Sequence, residues 1–406
     1  MSKVRHYDRY KFKQDVLGSL TAVGWIFPLA LAFGSNSPFG TAAGIIGAIA
    51  ACIIGAGNSK KIPMPHVEVF AVLFCAANAI GVSGAMLSCI IAGAILLFVA
   101  TLQFNKSFFI IPPEAFGAIT FIIAAVLCIT QVNYYFGIGV PVGGALDTLM
   151  AYRSFGFHAN WRGVLYGTIT LVVMITYPIK FKKLSKRVPA PAVALVGTTL
   201  LNLLLNPSAE TTAIDEVGEF MSSATYLFVG KISIYDVTHA KFIPALFFAW
   251  ALVVVLVADT LLHEEKLSAV HYSLAFKGMR SLVCPLCEGM TVSDDDSYGE
   301  TRLTSLFAAV LMILLALVAK PLIMRVPIAT LAVIIICTAW QRVRFKFIQK
   351  SLSKGKIASK IAVFIVISVL GIFWNFIAVI DVASIVVLIY CFVARAKKKN
   401  KTESEI

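Results

Sequence analysis

From Val67 to Thr101 the chain carries one charged side chain, Glu68, and the same poverty of charge marks one apolar run after another. A helix needs about 20 mostly apolar residues to cross the hydrocarbon core of a bilayer, and runs of this kind satisfy that requirement repeatedly. Of the 406 residues 59% are hydrophobic and 14% charged, against roughly 45–50% and 25% in soluble domains. The formal charge of +14 resides at the ends of the apolar runs. A nucleic-acid reader needs its cations on a solvated face with aromatics between them, so nucleic acid is excluded as a partner and the lipid bilayer takes its place. After Lys3, Arg5, Arg9, Lys11 and Lys13, the first run, Val16 to Phe33, is long enough to span. It lacks a small-residue cleavage site, so no cleavable signal peptide is expected.

The expected architecture is an all-α polytopic membrane protein with about fourteen spans. The first half holds 15–33, 41–57, 63–79, 81–101, 113–136, 162–179 and 189–205. The second holds 242–262, 268–284, 285–292, 303–324, 326–340, 358–376 and 377–394, while 140–152 reads as an external loop or surface helix. With this count the basic clusters at the N-terminus, at Lys60 and Lys61, at Lys180 to Arg187, at Arg342 to Lys360 and at Arg395 to Lys401 all fall on one side. The positive-inside rule makes that side the cytoplasm and puts both termini there, in an inner (plasma) membrane. The expected divisions are a cytoplasmic segment 1–14, a first repeat 15–205, an external acidic loop 206–241, a second repeat 242–394 and a basic tail 395–406. Seven spans per half, an odd number, place the halves in the membrane upside down relative to one another.

Each half carries a break at a corresponding place. The first is Ile62-Pro63-Met64-Pro65-His66; the second runs from Cys284-Pro285 to Thr291. Matched broken segments are the best sequence pointer to a transporter site. A helix that begins inside the membrane presents unsatisfied N–H groups and about half a positive charge, so two such ends facing each other would hold an anion without any fixed cation. Around the breaks, His66 is either an oxyanion donor or a structural helix-start residue. Glu68 either carries a coupling proton or pairs with His66 or a neighbouring helix. Asp259 is either a functional intramembrane carboxylate or a solvated helix terminus. Thr291 and Ser293 offer hydroxyls at an expected helix start, and Asp294, Asp295 and Asp296 read as a solvated turn. Cys284 and Cys287 have no second pair or His cluster at ligand spacing, and no metal or other cofactor is expected.

Several motifs, in order, resemble the SulP family of inorganic anion transporters. They include Phe12 to Ala22 and Phe27-Pro28 to Gly34, Gly44 to Gly55, Ile111-Pro112-Pro113, Lys186 to Ala190, Val257-Ala258-Asp259-Thr260, Gly299-Glu-Thr301-Arg302-Leu-Thr-Ser305 and Val326-Pro327 to Ala332. The resemblance implies a seven-plus-seven inverted repeat in which a core domain rocks against a gate domain and moves sulfate, bicarbonate, chloride or a related anion. It implies an anion site between the half-helices of spans 3 and 10, here Pro65, His66, Val67 and Glu68 facing Glu288, Gly289, Met290 and Thr291. Asp259 and Glu68 are the implied sites of coupling to sodium or protons. A second register of the eighth span puts Trp250 where the first puts Asp259. The stretch Gly289–Gly299 is shorter than the family's tenth span, and the STAS domain that usually follows the last span is not expected. A small inorganic anion is the expected partner, with a homodimer compatible. A nucleobase permease of the same fold and a transport-inactive membrane scaffold are the alternatives; an enzyme is not expected, since no nucleophile with a His and acid partner and no phosphate loop occurs.

Overall fold

Where the chain is most apolar it is helical, because a backbone shielded from water must bond to itself. The computed structural model describes residues 8–57, 61–102, 113–138, 145–155, 159–205, 241–264, 266–287, 289–343, 357–375, 377–382 and 384–385. The elements of the first half are α1 (Arg9–Ser35), α2 (Thr41–Gly55), β1 (Lys61–Met64), α3 (Val67–Thr101), α4 (Pro113–Phe136), α5 (Ala145–Phe155), α6 (Trp161–Lys180), α7 (Lys182–Ser185) and α8 (Ala190–Leu205). Those of the second are α9 (Phe242–His263), α10 (Leu267–Leu286), β2 (Ser293–Ser297), α11 (Leu303–Val318), α12 (Lys320–Ile323), α13 (Ile328–Arg342) and α14 (Ile357–Leu370), which continues as a π-helical turn, Gly371–Asn375. Both halves thus open with the order helix, helix, strand, helix. The acidic loop expected at 206–241 lies outside the described residues apart from Lys241, as do most of the segment 1–14 and all of the tail 395–406.

Among the described residues five helices are long and apolar enough to cross a membrane: Arg9–Ser35, Val67–Thr101, Ile119–Phe136, Trp161–Lys180 and Phe242–Leu261. Val67–Thr101 is two expected spans in one. Gly81 interrupts it with φ 78° and ψ 169°, a left-handed conformation that costs glycine nothing, at the boundary expected between 79 and 81. The outward faces are apolar: α11 exposes Leu306, Val310, Ile313 and Leu317 while it buries Thr304, Ser305, Ala308 and Met312. Polar groups inside and aliphatics outside are the distribution that a lipid solvent selects.

The helices form two packing groups. In the first, α3 lies against α9 and α10, and α1, α2 and α11 pack on one another. In the second, α13 lies against α4 and α6, with α14 on α4 and α8 on α6. The groups meet where α1 touches α13 and α8 and where α3 touches α4 and α13.

An all-α chain was expected, and the two breaks correct that. β1 and β2 form an antiparallel pair with Lys61 opposite Ser297, Pro63 opposite Asp294 and Met64 opposite Ser293. Pro63 has no N–H to give a ladder, and the register shifts between Lys61 and Pro63, as a proline inside a strand requires. The acidic run Asp294–Asp296 is therefore strand rather than turn.

One carboxylate fixes α1 to the second half. Asp15, fully buried, accepts at Oδ1 from the backbone N–H of Glu300 (2.8 Å) and Thr301 (2.9 Å) and from Thr304 Oγ1 (2.9 Å), and at Oδ2 from the Thr301 hydroxyl. It holds from across the molecule the turn that leads into α11, where the Thr301 hydroxyl in turn accepts from the Leu303 N–H at 3.2 Å. Asp15→Ala should cost about 3 kcal/mol or more by orphaning these donors. Asp15→Asn should cost less, because it keeps an acceptor. Thermal unfolding in detergent checks the order, and equal melting temperatures for wild type and Asp15→Ala would refute this role.

Candidate functional site

The site is assembled where the breaks cross. Pro63 and Pro65 prevent a helix before His66, so α3 starts abruptly at Val67 with His66 as N-cap in extended conformation (φ −107°, ψ 139°). The imidazole makes no cap bond to the first turn of α3 and turns to Arg342 and Asp259 instead. On the other side α10 ends at Leu286, and Gly289 N–H returns to the Cys284 carbonyl at 2.8 Å. Met290 N–H donates to Ala43 O of α2 at 3.0 Å, and the hydroxyls of Thr291 and Ser281 lie 3.2 Å apart. This crossing depends on Gly47: a Cβ there would stand 2.1 Å from Met290 O.

A narrow cavity at this crossing is lined by Pro65, His66, Met290 and Thr291, with Phe33 and Phe70 among its apolar walls. Four of the expected substrate residues thus share one cavity. Val67 is buried in the hydrophobic core and Gly289 packs against Gly47; Glu288 lies outside the described residues. Glu68 lines a second cavity, between α3, α4 and α9, together with Asp259, Thr120 and Val255. Trp250 lines neither of these cavities and donates its indole N–H to Ser384 Oγ at 2.8 Å.

A chain of charged groups connects the two cavities. Lys277 Nζ of α10 donates to Asp259 Oδ2 at 2.6 Å, the lysine side chain being 2% exposed and the aspartate 14%. Asp259 Oδ1 lies 3.8 Å from His66 Nδ1, and His66 Nε2 lies 2.9 Å from Arg342 Nη2 at the end of α13. A guanidinium has only donors, so Nε2 accepts and Nδ1 carries the proton on the side facing Asp259. Sequence reasoning missed Lys277 and Arg342. Lys277 had a readable signal, since it and the fully buried Arg280 sit three residues apart within an expected span, where ionisable groups are costly. Arg342 had none, because its position at a span end matches that of a topology-setting cation.

The second half-helix expected to face α3 is not formed. From Gly289 the described chain runs without helix into β2, and the next helix begins only at Leu303. Between Ser297 and Leu303 there is too little chain for a half-span at 1.5 Å per residue, and Asp15 already binds the N–H groups of Glu300 and Thr301 in that turn. Thr291 accordingly precedes a strand and Ser293 opens it, and neither stands at a helix start. Cys284 and Cys287 are free thiols, and Cys284 Sγ donates to Gly47 O at 3.6 Å.

Comparison with known proteins assigns the family. The model of the Sulfate permease family matches residues 12–369, and the chain belongs to that family of membrane transporters. It is 26% identical over 344 residues to the bicarbonate transporter BicA of Picosynechococcus sp., covering 78% of this chain and 59% of that protein. It is 24% identical over 370 residues to a "Probable sulfate transporter" of Mycobacterium tuberculosis, covering 82% and 62%. The chain therefore spans about three fifths of the length of these relatives. Among solved structures, the transmembrane domain of a cyanobacterial BicA superposes with a TM-score of 0.74 at 21% identity, covering 93% of this chain and 98% of that one. The murine anion transporter Slc26a9, in its inward-facing state, gives 0.71 at 15% identity, covering 95% and 70%. Both show the fold.

The close approach of Gly47 to Met290 makes a sharp contrast with an open glycine. Gly47→Ala forces backbone apart and should destabilise by about 1–3 kcal/mol. Gly197→Ala on α8, with nothing within 4 Å of the new methyl, should be neutral or stabilising by up to about 1 kcal/mol. Melting temperatures of the two variants test this, and a reversed order would contradict the described crossing.

Proposed function

We propose that the protein is a secondary active transporter of a small inorganic anion of the sulfate, bicarbonate or chloride class, working by alternating access. The observation that carries this reading is the cavity at the crossing of the two breaks, where His66 and Thr291 meet and Arg342 reaches His66 from the other packing group. In this reading the anion lies against the first turn of α3, whose amides the His66 side chain does not cap. The positive field of that single helix end is supplemented by the Arg342 guanidinium, which takes the part an opposed half-helix would have played. The two packing groups act as core and gate, seven spans to each inverted half, with both termini cytoplasmic in the plasma membrane. Glu68, at the second cavity, is the candidate carrier of a coupling proton.

The test is uptake of radiolabelled sulfate and bicarbonate by proteoliposomes, with chloride, nitrate and uracil as competitors. Saturable uptake that inorganic anions inhibit and uracil does not is the expected result; inhibition by uracil alone would favour a nucleobase permease. Removing a charge-assisted bond costs about 1.5–3 kcal/mol, so Arg342→Ala should weaken the apparent affinity by roughly 10- to 100-fold, with Arg342→Lys falling between. A transport-inactive scaffold is the second reading, favoured by the missing half-helix. It would take first place if folded protein neither bound nor moved any of these solutes.

A further inference from the structure

Asp259 is an intramembrane carboxylate whose charge is already answered from within the chain. Lys277 Nζ donates to Asp259 Oδ2 at 2.6 Å and approaches the Leu256 carbonyl at 3.5 Å. Its side chain is 2% exposed. The oxygens around this ammonium are those of a carboxylate and of a carbonyl within α9 that also accepts from the Thr260 hydroxyl at 2.7 Å, and oxygens are the ligands that a hard cation seeks. An ammonium is itself a compact point charge. We infer that Lys277 is a tethered counter-ion filling the place at Asp259 that a bound sodium ion would otherwise occupy, so that anion movement by this chain is independent of sodium.

The inference rests on the transporter reading, and it separates two roles that Asp259 could have. A carboxylate that must exchange sodium between the two sides of the membrane has to be empty of fixed cations for part of the cycle. Here α9 and α10, which carry Asp259 and Lys277, pack on each other and both pack on α3. The pair therefore lies inside one packing group, with no boundary between moving parts running through it. His66 Nδ1 at 3.8 Å and Glu68, which shares its cavity, are also near Asp259. Neither supplies a fixed positive charge while His66 accepts from Arg342.

Shortening the lysine should reopen the cation place. In Lys277→Ala the carboxylate loses its lysine counter-ion, and a cation from solution takes that place. The experiment measures sulfate uptake and thermal unfolding at pH 8 in sodium and in choline chloride, for wild type, Lys277→Ala and the neutral pair Asp259→Asn/Lys277→Met. The expected outcome is equal uptake and equal melting temperature in both salts for wild type and for the double variant. Lys277→Ala should show roughly ten-fold stimulation by sodium with a melting temperature raised by a few degrees, as ligand linkage requires. Sodium dependence of wild-type uptake, or stabilisation of wild type by sodium, would overturn the inference, and so would a Lys277→Ala protein that folds but ignores sodium in both measurements. The melting arm needs no transport. If no anion moves at all, the transporter reading fails there, while the sodium response of the variant still decides the place of Lys277.

Discussion

Unpaired backbone inside a membrane is the constraint on which this structure depends. A peptide group with neither water nor a helical neighbour to bond to costs several kcal/mol in hydrocarbon. This chain has two places where proline and an acidic run forbid the helix. Neither break is tolerable alone. Brought together antiparallel, β1 and β2 supply each other's partners, and the pairing sets almost everything near it: the start of α3, the depth of His66, the close contact of Gly47 with Met290, and the line along which α2, α3 and α10 converge. The cavity is a consequence of two irregular segments having to satisfy one another.

The short second break changes the electrostatics of that cavity. Two opposed helix ends would give an anion site with no charged side chain, whereas one helix end leaves half of that field missing. The strand continues instead to a turn held by Asp15, which turns the next helix start into a structural joint between the halves. Positive charge returns in another form: Arg342 arrives from α13, and Lys277 lies one residue further from the break. Lys277 is balanced by Asp259, so Arg342 alone exchanges a dipole carried by backbone for a full charge carried by a side chain.

Much of the fold was legible in the sequence because lipid imposes a simple rule on composition. The run Val67–Thr101 and its interruption near residue 80 were readable from apolar length alone. The breaks were readable from Pro63, Pro65 and Pro285. What they become was not, since a strand pairing between residues more than two hundred positions apart leaves no local period, and Ser293–Ser297 has the composition of a solvated turn. The site divides in the same way. His66 and Thr291 were singled out by their place beside the breaks and line one cavity, whereas Asp15 looked like one more polar residue at the start of a span, with Thr301 as its partner visible only in three dimensions. Arg342 was hidden by resembling the cations that merely mark a span's end.

The chain of contacts from Lys277 through Asp259 and His66 to Arg342 is uneven, and its unevenness is informative. Three of its members belong to α10, α9 and the start of α3, which pack on one another; the fourth belongs to α13 in the other group. A displacement between the groups would leave the lysine–aspartate pair intact and separate the imidazole from the guanidinium. Breaking the first would strand a buried charge, which costs about 3–5 kcal/mol. Breaking the second leaves a neutral ring and a cation with an anion at hand to accept its hydrogen bonds. On the proposed transport reading, the expensive contact thus sits where nothing has to move, and the replaceable one sits at the boundary, next to the cavity, where a substrate oxygen would take the place of the imidazole nitrogen.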